Sequence, residues 1–356
     1  MKILFVISSV AIEGGGASKM LVWVANQFAK KGWNVTIYTH KTQNGPLFDL
    51  DSSIEVISTE PVRGKSLFYP IPCIRGLIKK LKPNCIVSFM QDSNLYCILA
   101  KLGTKIPVIA CERNDPFLDS FWKNRIAQRI IKYANSSTYQ LQEISNYYSW
   151  VTHPKYIIPN PVAESKHKVT KCFMERRDEI CNYARLDIVQ KRQDVLIRAF
   201  ALVTLKHPEM TLVLYGEGKD RKKLEKLVLE LNLEKKVIFK GMVESPVQYC
   251  IESKLFVLSS DYEGISNSLT EAMAAGLTVI STDTSPGGSR FLINDGENGV
   301  LVQRGNIYQL AEKICFCLEN PDLCDKMSKE ATQIVNTFSE TNIFSLWENI
   351  VNETIK

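Results

Sequence analysis

Short runs of β-forming residues alternate with stretches of helical periodicity along nearly the whole chain. The first half contains strand-like runs at Lys2–Ile7, Val35–Tyr38, Ile54–Ile57, Cys85–Phe89, Val108–Ala110 and Tyr156–Ile158. Helix-like segments lie between several of these runs, among them Ala17–Lys31 and Ile74–Leu81. Because strands that are joined by helices run parallel and are covered on both faces, this alternation predicts a doubly wound α/β domain.

The alternation breaks once, at Pro159-Asn160-Pro161 and the charged stretch that follows it. It restarts with strand-like runs at Ile180–Tyr183, Thr211–Tyr215, Val237–Phe239, Leu255–Leu258 and Thr278–Ser281, and helices are predicted to close the chain at Ile307–Glu319, Asp322–Phe338 and Thr341–Ile355. A length of 356 residues suits two domains. We predict an N-terminal domain over residues 1–165, a C-terminal domain over 166–335, and a last helix within 336–356 that packs back on the N-terminal domain.

Composition and cysteine usage exclude several classes of protein. Charged residues make up 23% of the chain and hydrophobic residues 45%, as in ordinary globular proteins. No apolar run approaches the ~20 residues that a membrane-spanning helix needs. The run Ile3–Ile12 opens into glycines and a helix rather than into a cleavage site, so no signal peptide is expected. The scattered cysteines indicate reduced core thiols in a cytoplasmic protein rather than a metal site.

Positive charge is concentrated in the first half of the chain. Residues 1–165 hold 19 lysines and arginines against 11 aspartates and glutamates, a net charge of +8, whereas residues 166–356 carry −2. We therefore expect the first half to meet an anionic partner, either a phosphate-bearing substrate or a lipid surface. The cations are not organised into a recognition helix, so nucleic acid is not an expected partner.

The stretch Asp261–Gly276 has the composition of a ligand-binding turn and follows the strand-like run Leu255–Leu258. Ligands of open α/β sheets bind at the carboxyl ends of strands. Gly264 and the small polar residues after it allow backbone N–H groups to face an anionic oxygen at the start of a helix. Glu263 and Glu271 bracket this turn, so one carboxylate can reach a sugar hydroxyl and the other a ribose diol.

The same stretch resembles the E-x7-E motif of the family 4 glycosyltransferases, also called glycosyl transferases group 1. These are retaining enzymes of the GT-B fold, in which two Rossmann-like domains face each other across a cleft. The resemblance covers nearly the whole chain and is strongest over residues 179–300. It implies that Glu271 binds the nucleotide ribose and that Glu263 lies at the donor sugar. The backbone amides implied to contact sugar and phosphate are those of Gly264, Ile265, Ser266, Asn267 and Ser268.

Basic residues after the predicted strand Ile180–Tyr183 are similar to the family's diphosphate-binding pair. Arg185 and Lys191 match that pair, and Arg192 is an alternative to Lys191. A leaving nucleoside diphosphate gains negative charge, which fixed cations can stabilise. The predicted catalytic residues are therefore Glu263, Arg185 and Lys191. No cofactor and no metal ion are expected, since the nucleotide-sugar is itself a substrate.

Further loops are predicted to line the donor site. Gly15 and Gly16 lie between the first strand and the first helix, where glycines let the backbone approach phosphates closely. Their spacing lacks the dinucleotide fingerprint, which disfavours a nicotinamide cofactor. The resemblance also implies that the loops of Gly216, Met242 and Val243 surround the nucleotide.

The loop after the run Val108–Ala110 is a candidate for binding the acceptor. Many members of the family have a histidine here, and Arg113 takes its position, so the role of that histidine does not carry over. Arg113 could hold a phosphate of the acceptor or the donor, and Asn114 or Asp115 could bind hydroxyls. The alternative is a structural loop that contains an Arg–Asp pair.

The segment 117–133 combines aromatic residues with cations, which are Lys123, Arg125, Arg129 and Lys132. Two interpretations are open. It can be an ordinary amphipathic helix whose apolar stripe belongs to the core, or it can rest on an anionic membrane surface.

The residues and the resemblance together indicate a retaining glycosyltransferase. It is expected to act in the synthesis of a bacterial surface polysaccharide, such as lipopolysaccharide. The expected donor is a UDP-hexose or UDP-N-acetylhexosamine, with GDP-mannose as the alternative. The expected acceptor is a glycan, implied to be linked to polyprenyl diphosphate, at the inner face of the plasma membrane. Two rival functions are a sugar-nucleotide 2-epimerase and a non-catalytic binding protein.

Overall fold

The computed structural model describes residues 1–12, 15–41, 45–59, 68–113, 115–118 and 122–356. The chain forms two compact units, of which unit 1 comprises residues 1–160 and 341–356 and unit 2 comprises residues 161–340. The boundaries predicted at 165 and 335 each lie five residues from those of the units. Asn114 and part of the segment 117–133 lie outside the described residues, as does Gly14.

Unit 1 is built on a parallel sheet with the strand order β3-β2-β1-β4-β5-β6-β7. Its strands are β1 Lys2–Ile7, β2 Asn34–Thr39, β3 Glu55–Ser58, β4 Cys85–Phe89, β5 Val108–Cys111, β6 Ser136–Tyr139 and β7 Lys155–Ile157. Its helices are α1 Gly15–Lys30, α2 Pro70–Leu81, α3 Gln91–Ala100, α4 Trp122–Ile130 and α5 Gln142–Tyr147.

Strand β6 was not predicted from the sequence. Its residues, Ser-Ser-Thr-Tyr, carry too little apolar side chain to mark a buried strand, yet all four are buried. Hydrogen bonds offset part of the loss of water, since the Ser137 hydroxyl donates to Tyr139 Oη at 3.1 Å and the Ser136 and Thr354 hydroxyls lie 2.8 Å apart. The polar character of these side chains is the reason that the sequence did not predict this buried strand.

Unit 2 is built on a parallel sheet with the strand order β10-β9-β8-β11-β12-β13. Its strands are β8 Arg177–Tyr183, β9 Thr211–Tyr215, β10 Val237–Gly241, β11 Ser253–Leu258, β12 Thr278–Thr282 and β13 Val300–Val302. Its helices are α6 Gln193–Lys206, α7 Arg221–Glu230, α8 Val247–Cys250, α9 Asn267–Ala275, α10 Gly288–Leu292, α11 Ile307–Glu319, α12 Pro321–Ala331 and α13 Ile334–Thr337. The prediction of one helix over Asp322–Phe338 was wrong, because α12 ends at Ala331 and α13 starts anew at Ile334.

The last helix, α14 Glu340–Ile355, contributes residues 341–355 to unit 1. Trp347 is fully buried and stacks on Phe89 at the end of β4, with ring centroids 5.8 Å apart. Phe344 packs edge-on against Phe28 of α1 at 5.2 Å. Buried aromatic side chains supply much of the stabilisation of a core. Through Phe344 and Trp347, α14 is part of the core of unit 1.

No helix in the described part of the chain combines the length and the apolar character needed to cross a bilayer. All ten cysteines are free, and most of them are buried.

Candidate functional site

Strands β8 and β11 are neighbours at the point where the strand order of unit 2 reverses direction. In an open parallel sheet such a switch point leaves a crevice outside the carboxyl ends of the two strands, and ligands bind there. The loop after β8 carries Arg185, Lys191 and Arg192, and the loop after β11 carries Glu263. The fold therefore brings the predicted basic and acidic residues to one edge of one sheet.

Hydrogen bonds join these two loops along their length. The Asp261 N–H donates to the Gln190 carbonyl oxygen at 2.9 Å, and the Ser259 hydroxyl donates to the Lys191 carbonyl oxygen at 2.9 Å. The arrangement holds the backbone on both sides of Lys191, which restricts where its side chain can go.

Lys191 and Glu263 form an ion pair. Their side chains are 16% and 11% exposed, so solvent screens the pair little. The Ser260 hydroxyl donates a second hydrogen bond to Glu263 Oε1 at 2.8 Å, and the Glu263 N–H donates to the Ser285 carbonyl oxygen at 2.8 Å. Glu263 is thus fixed through both its backbone and its carboxylate.

Arg185 is the exposed cation of this site. Its side chain is 64% exposed, and its Nη2 donates to Gln190 Oε1 at 3.1 Å. Asp187 Oδ2 lies 3.8 Å from the same nitrogen and 3.3 Å from Lys219 Nζ. Burial by itself would raise the pKa of Asp187, but the N–H groups of Val189 and Gln190 together with Lys219 outweigh it and lower that pKa. An ionised Asp187 therefore shapes the loop that carries Arg185.

Arg192 points to different partners than Lys191. It begins α6 with a left-handed backbone, φ 50°, and its Nε and Nη2 donate to the two carboxylate oxygens of Asp194 at 3.1 and 3.2 Å. Its Nη1 donates to Asp261 Oδ2 at 2.7 Å. Between the two adjacent candidates, Lys191 is the one in contact with Glu263, and Arg192 ties the start of α6 to the loop after β11.

Residues 264–266 form the turn before α9, and Asn267 and Ser268 are the first two residues of the helix. The Ser266 hydroxyl caps the helix by accepting from the Leu269 N–H at 3.5 Å, and Ser268 Oγ lies 3.1 Å from it. Ile265 is buried, and Asn267 is the first residue of the helix. The Tyr183 hydroxyl at the end of β8 donates to the Ser268 carbonyl oxygen at 2.8 Å. A helix start held in this way presents N–H groups to an anion.

Gly264 is in close contact with Gly288, the first residue of α10. A Cβ at position 288 would lie 1.5 Å from the Gly264 carbonyl oxygen. Only glycine at 288 leaves room for the turn that follows Glu263.

Glu271 follows Asn267 by four residues on α9, which places both on one face of the helix. Its side chain is half-buried. Burial and the charge of Glu271 together raise the pKa of Tyr183. Glu271 therefore shares a helix face with Asn267, the first residue of α9.

The loops after β9 and β10 lie next to the loop after β8. The Gly216 N–H donates to the Gly241 carbonyl oxygen at 2.7 Å, and a Cβ on Gly216 would lie 2.1 Å from the Ala184 carbonyl oxygen. Met242 is 79% exposed, and Val243 is half-buried. Gly216 therefore packs against the backbone of Ala184, the residue before Arg185.

The remaining candidates belong to unit 1. Gly15 and Gly16 are the first residues of α1, and Gly15 has a φ of 72°. The Asp115 carboxylate accepts from the Phe117 N–H at 2.9 Å and so closes a short local turn.

Arg113 is buried in unit 1. Its guanidinium lies 5.5 Å from the ring of Phe89 and 5.7 Å from that of Trp347, and its Nη1 donates to the Ile158 carbonyl oxygen at 3.1 Å. Burial lowers the pKa of Arg113 to about 10. The predicted acceptor residue is thus enclosed by β4, α14 and the end of β7.

Within the described residues, no group of three or more His, Cys, Asp and Glu side chains is arranged to hold a metal ion.

Two family profiles match the chain. "Glycosyl transferases group 1" matches residues 165–334, and "Glycosyl transferase 4-like" matches residues 11–143. The two profiles fall on unit 2 and unit 1 respectively.

Curated relatives are similar over most of their length. The N-acetylgalactosamine-N,N'-diacetylbacillosaminyl-diphospho-undecaprenol 4-alpha-N-acetylgalactosaminyltransferase of Campylobacter jejuni is 33% identical over 295 residues, 78% of this chain and 79% of that protein. The GalNAc-alpha-(1->4)-GalNAc-alpha-(1->3)-diNAcBac-PP-undecaprenol alpha-1,4-N-acetyl-D-galactosaminyltransferase of the same organism is 26% identical over 365 residues, 99% of each chain.

The fold also matches solved structures. Anabaena HepE in complex with UDP and glucose superposes with a TM-score of 0.81 at 20% identity, covering 99% of this chain and 100% of that one. The same family is indicated by the two parallel sheets, the two matching profiles and the relative that is 33% identical. The chain therefore belongs to the glycosyl transferases group 1 family and is a glycosyltransferase of the GT-B fold.

Proposed function

We propose that this protein transfers a sugar from a UDP-sugar, with retention of anomeric configuration, to a hydroxyl group of a lipid-linked glycan in the assembly of a bacterial surface polysaccharide. The observation that carries this proposal is the meeting of Lys191 with Glu263 beside Arg185 and the start of α9, at the switch point of unit 2. Cations and the N–H groups of a helix start at one strand edge suit the diphosphate of a sugar-nucleotide.

The donor diphosphate binds between the cations and the start of α9. Arg185 has exposed N–H groups, Lys191 supplies a fixed ammonium group, and the turn before α9 supplies backbone N–H groups. Glu271, one helical turn after Asn267, binds the ribose hydroxyls. A uridine nucleotide is favoured because HepE, which has the same fold, was solved with UDP and glucose. The sugar is a hexose or an N-acetylhexosamine, and GDP-mannose is the alternative donor.

In the reaction, the bond from the anomeric carbon to the diphosphate oxygen breaks and a bond to the acceptor oxygen forms on the same face. The proton of the acceptor hydroxyl passes to an oxygen of the leaving diphosphate. Arg185 and Lys191 stabilise the charge that develops there. Glu263 is held by Lys191 and Ser260, which suits a carboxylate that orients the sugar better than one that attacks it. No metal ion is required in this scheme, and activity that persists in excess EDTA is the expected result.

The acceptor is proposed to be linked to a polyprenyl diphosphate. Both relatives from Campylobacter are named for undecaprenyl-linked acceptors. Residues 1–165 of this chain have a net charge of +8. A positive charge of this size attracts anionic lipid substrates.

One surface of unit 1 suits contact with an anionic membrane. Ile126 and Tyr133 are exposed on α4 and the turn after it. The exposed cations beside them are Arg125, Arg129 and Lys132, and residues 122–133 include no Asp or Glu. Apolar side chains flanked by cations favour anionic headgroups. We place the protein peripherally on the inner face of the plasma membrane.

A panel of nucleotide-sugars tests the donor. Binding to the folded state raises the melting temperature by mass action, so UDP-sugars are expected to stabilise the protein more than GDP- or ADP-sugars. The best donor is then incubated with a lipid-linked glycan, and the anomer of the product is read by NMR. Stabilisation by GDP-mannose alone would overturn the UDP proposal. An altered sugar-nucleotide formed with no acceptor would identify an epimerase.

Vesicle flotation tests the membrane surface. The wild type is expected to float with anionic vesicles at low salt and not with zwitterionic ones. The charge reversals Arg125→Glu, Arg129→Glu and Lys132→Glu together are expected to abolish this. A matched control reverses the same number of charges on unit 2 and consists of Lys222→Glu, Lys226→Glu and Lys235→Glu. If both triple variants lose flotation equally, binding depends on net charge alone, and the proposed membrane surface on unit 1 is wrong.

A further inference from the structure

All the polar groups of Gln190 are hydrogen-bonded, and two of them connect the two loops of the site. Its N–H donates to Asp187 Oδ1 at 3.3 Å, and its carbonyl oxygen accepts from the Asp261 N–H at 2.9 Å. In the side chain, Nε2 donates to the Tyr262 carbonyl oxygen at 3.2 Å, and Oε1 accepts from Arg185 Nη2 at 3.1 Å. One short side chain therefore links the loop after β8 to the loop after β11.

These contacts determine which way the amide of Gln190 faces. The Tyr262 carbonyl oxygen can only accept, and the Arg185 guanidinium can only donate. Turning the amide by 180° would oppose two acceptors at Tyr262 and two donors at Arg185. The oxygen of the amide is thereby held toward Arg185.

Arg185 needs such a partner because most of its side chain lies in solvent. A long exposed side chain loses much rotamer freedom when it is held in one place. Asp187 Oδ2, at 3.8 Å, is beyond hydrogen-bonding distance and is drawn toward Lys219. The hydrogen bond that Arg185 donates to Gln190 Oε1 is thus the contact that sets the direction of the guanidinium.

The partner is also neutral, which matters for the chemistry. A carboxylate at this distance would compensate part of the charge of Arg185, and less of it would be available to a leaving diphosphate. An amide orients the guanidinium and adds no negative charge to that of Asp187, whose Oδ2 already lies 3.8 Å from the same nitrogen.

We propose that Gln190 is a positioning residue that directs Arg185 toward the leaving diphosphate without neutralising it. This inference rests on the proposed function, since it assigns Gln190 a role in the same transfer reaction.

The test compares two substitutions of similar size, Gln190→Met and Gln190→Glu. Methionine removes both side-chain hydrogen bonds, and glutamate keeps an acceptor but adds a charge. Loss of a hydrogen bond to a charged group lowers kcat by about 10-fold or more, and the glutamate variant is expected to fall further, to about 100-fold below wild type. The KM for the donor is expected to change by less than about threefold.

Repeating both substitutions in the Arg185→Ala background separates positioning from a structural role. If Gln190 acts through Arg185, neither substitution lowers kcat further there. Gln248→Met is the matched control, because Gln248 also donates one side-chain hydrogen bond, to the Glu244 carbonyl oxygen at 3.1 Å, but lies on α8. Its kcat is expected to equal that of the wild type. Melting temperatures are measured for every variant, and assays are run well below the lowest of them.

Two results would overturn the inference. One is an equal loss of kcat in the presence and absence of the Arg185 side chain. The other is a glutamate variant at least as active as the methionine variant. Failure of the proposed function is distinguishable from both, because the wild type would then transfer no sugar from any donor.

Discussion

Lys191 and Glu263 are 72 residues apart in the sequence and form an ion pair at the carboxyl edge of the sheet of unit 2. The pair joins the residue proposed to neutralise the leaving group to the residue proposed to orient the sugar. Each side chain restrains the other, so the cation is in place before a donor arrives. Such preorganisation is the main source of electrostatic catalysis.

Replacing Lys191 by methionine removes the cation and most of its contacts. We expect kcat to fall by about 100-fold or more, because charge on the leaving diphosphate is no longer stabilised. Stability is expected to fall by about 1–3 kcal/mol, since Glu263 retains Ser260 as a partner but loses its counter-charge. Steady-state kinetics and urea unfolding measure the two effects.

Lys223→Met is the matched control for that substitution. Lys223 also pairs with an acid, Asp220, at 2.8 Å, but its own side chain is exposed. Asp220 is buried, but it also accepts from the Ile188 N–H at 3.1 Å and keeps that partner in the variant, so wild-type turnover is expected. Wild-type turnover in Lys191→Met would contradict the assignment of the site.

Glu271→Ala tests donor binding. If Glu271 holds the ribose, the variant binds UDP about 10- to 100-fold more weakly while kcat at saturating donor changes little. Isothermal titration with UDP measures the affinity. Glu312→Ala, an exposed acid on α11, is expected to bind UDP as the wild type does. Unchanged affinity in Glu271→Ala would place the nucleotide elsewhere.

Gly288→Ala tests the close contact between α10 and the turn after Glu263. The added Cβ would also lie 2.7 Å from the Gly264 carbonyl carbon, so the backbone must shift. We expect a loss of about 2–4 kcal/mol in the free energy of unfolding, with a fall in activity. Gly76→Ala on α2 meets no atom within 4 Å and is expected to raise stability by about 0.5–1 kcal/mol. A neutral Gly288→Ala variant would show that this contact is loose.

His40 is expected to make stability depend on pH. Its ring is buried against Tyr96, and its Nε2 forms a hydrogen bond with the Ser93 hydroxyl. Burial, together with the charge of Lys41, lowers the pKa of His40 to about 4. Between pH 4 and 6.5 the unfolded chain therefore binds a proton that the folded chain does not. The contribution of His40 to the free energy of unfolding rises with pH across this window, by up to about 1.4 kcal/mol per unit, and is complete near pH 6.5.

His40→Asn removes the titrating group. Urea unfolding from pH 4.5 to 7 is expected to show a shallower rise for this variant than for the wild type. Parallel stability curves for the two proteins would contradict the assignment. His153, which also has a pKa lowered by burial, is present in both proteins and cancels in the difference.

Strand and helix patterns in the sequence predict most of the fold, because apolar residues at period two or 3.6 report which faces are buried. The runs at Lys2–Ile7, Cys85–Phe89 and Thr211–Tyr215 coincide with β1, β4 and β9. The prediction failed where burial is achieved by polar side chains, as in β6, and it also missed the three-residue strand β13.

The sequence by itself determined two parallel α/β sheets and the identity of the charged residues near one strand end. The tertiary structure decided which partner each of them has. It paired Lys191 with Glu263, paired Arg192 with Asp194 and Asp261, and buried Arg113 beside the stacked rings of Phe89 and Trp347. The physical reason is distance along the chain: periodicity reports local burial, whereas an ion pair across 72 residues depends on which strands become neighbours in the sheet.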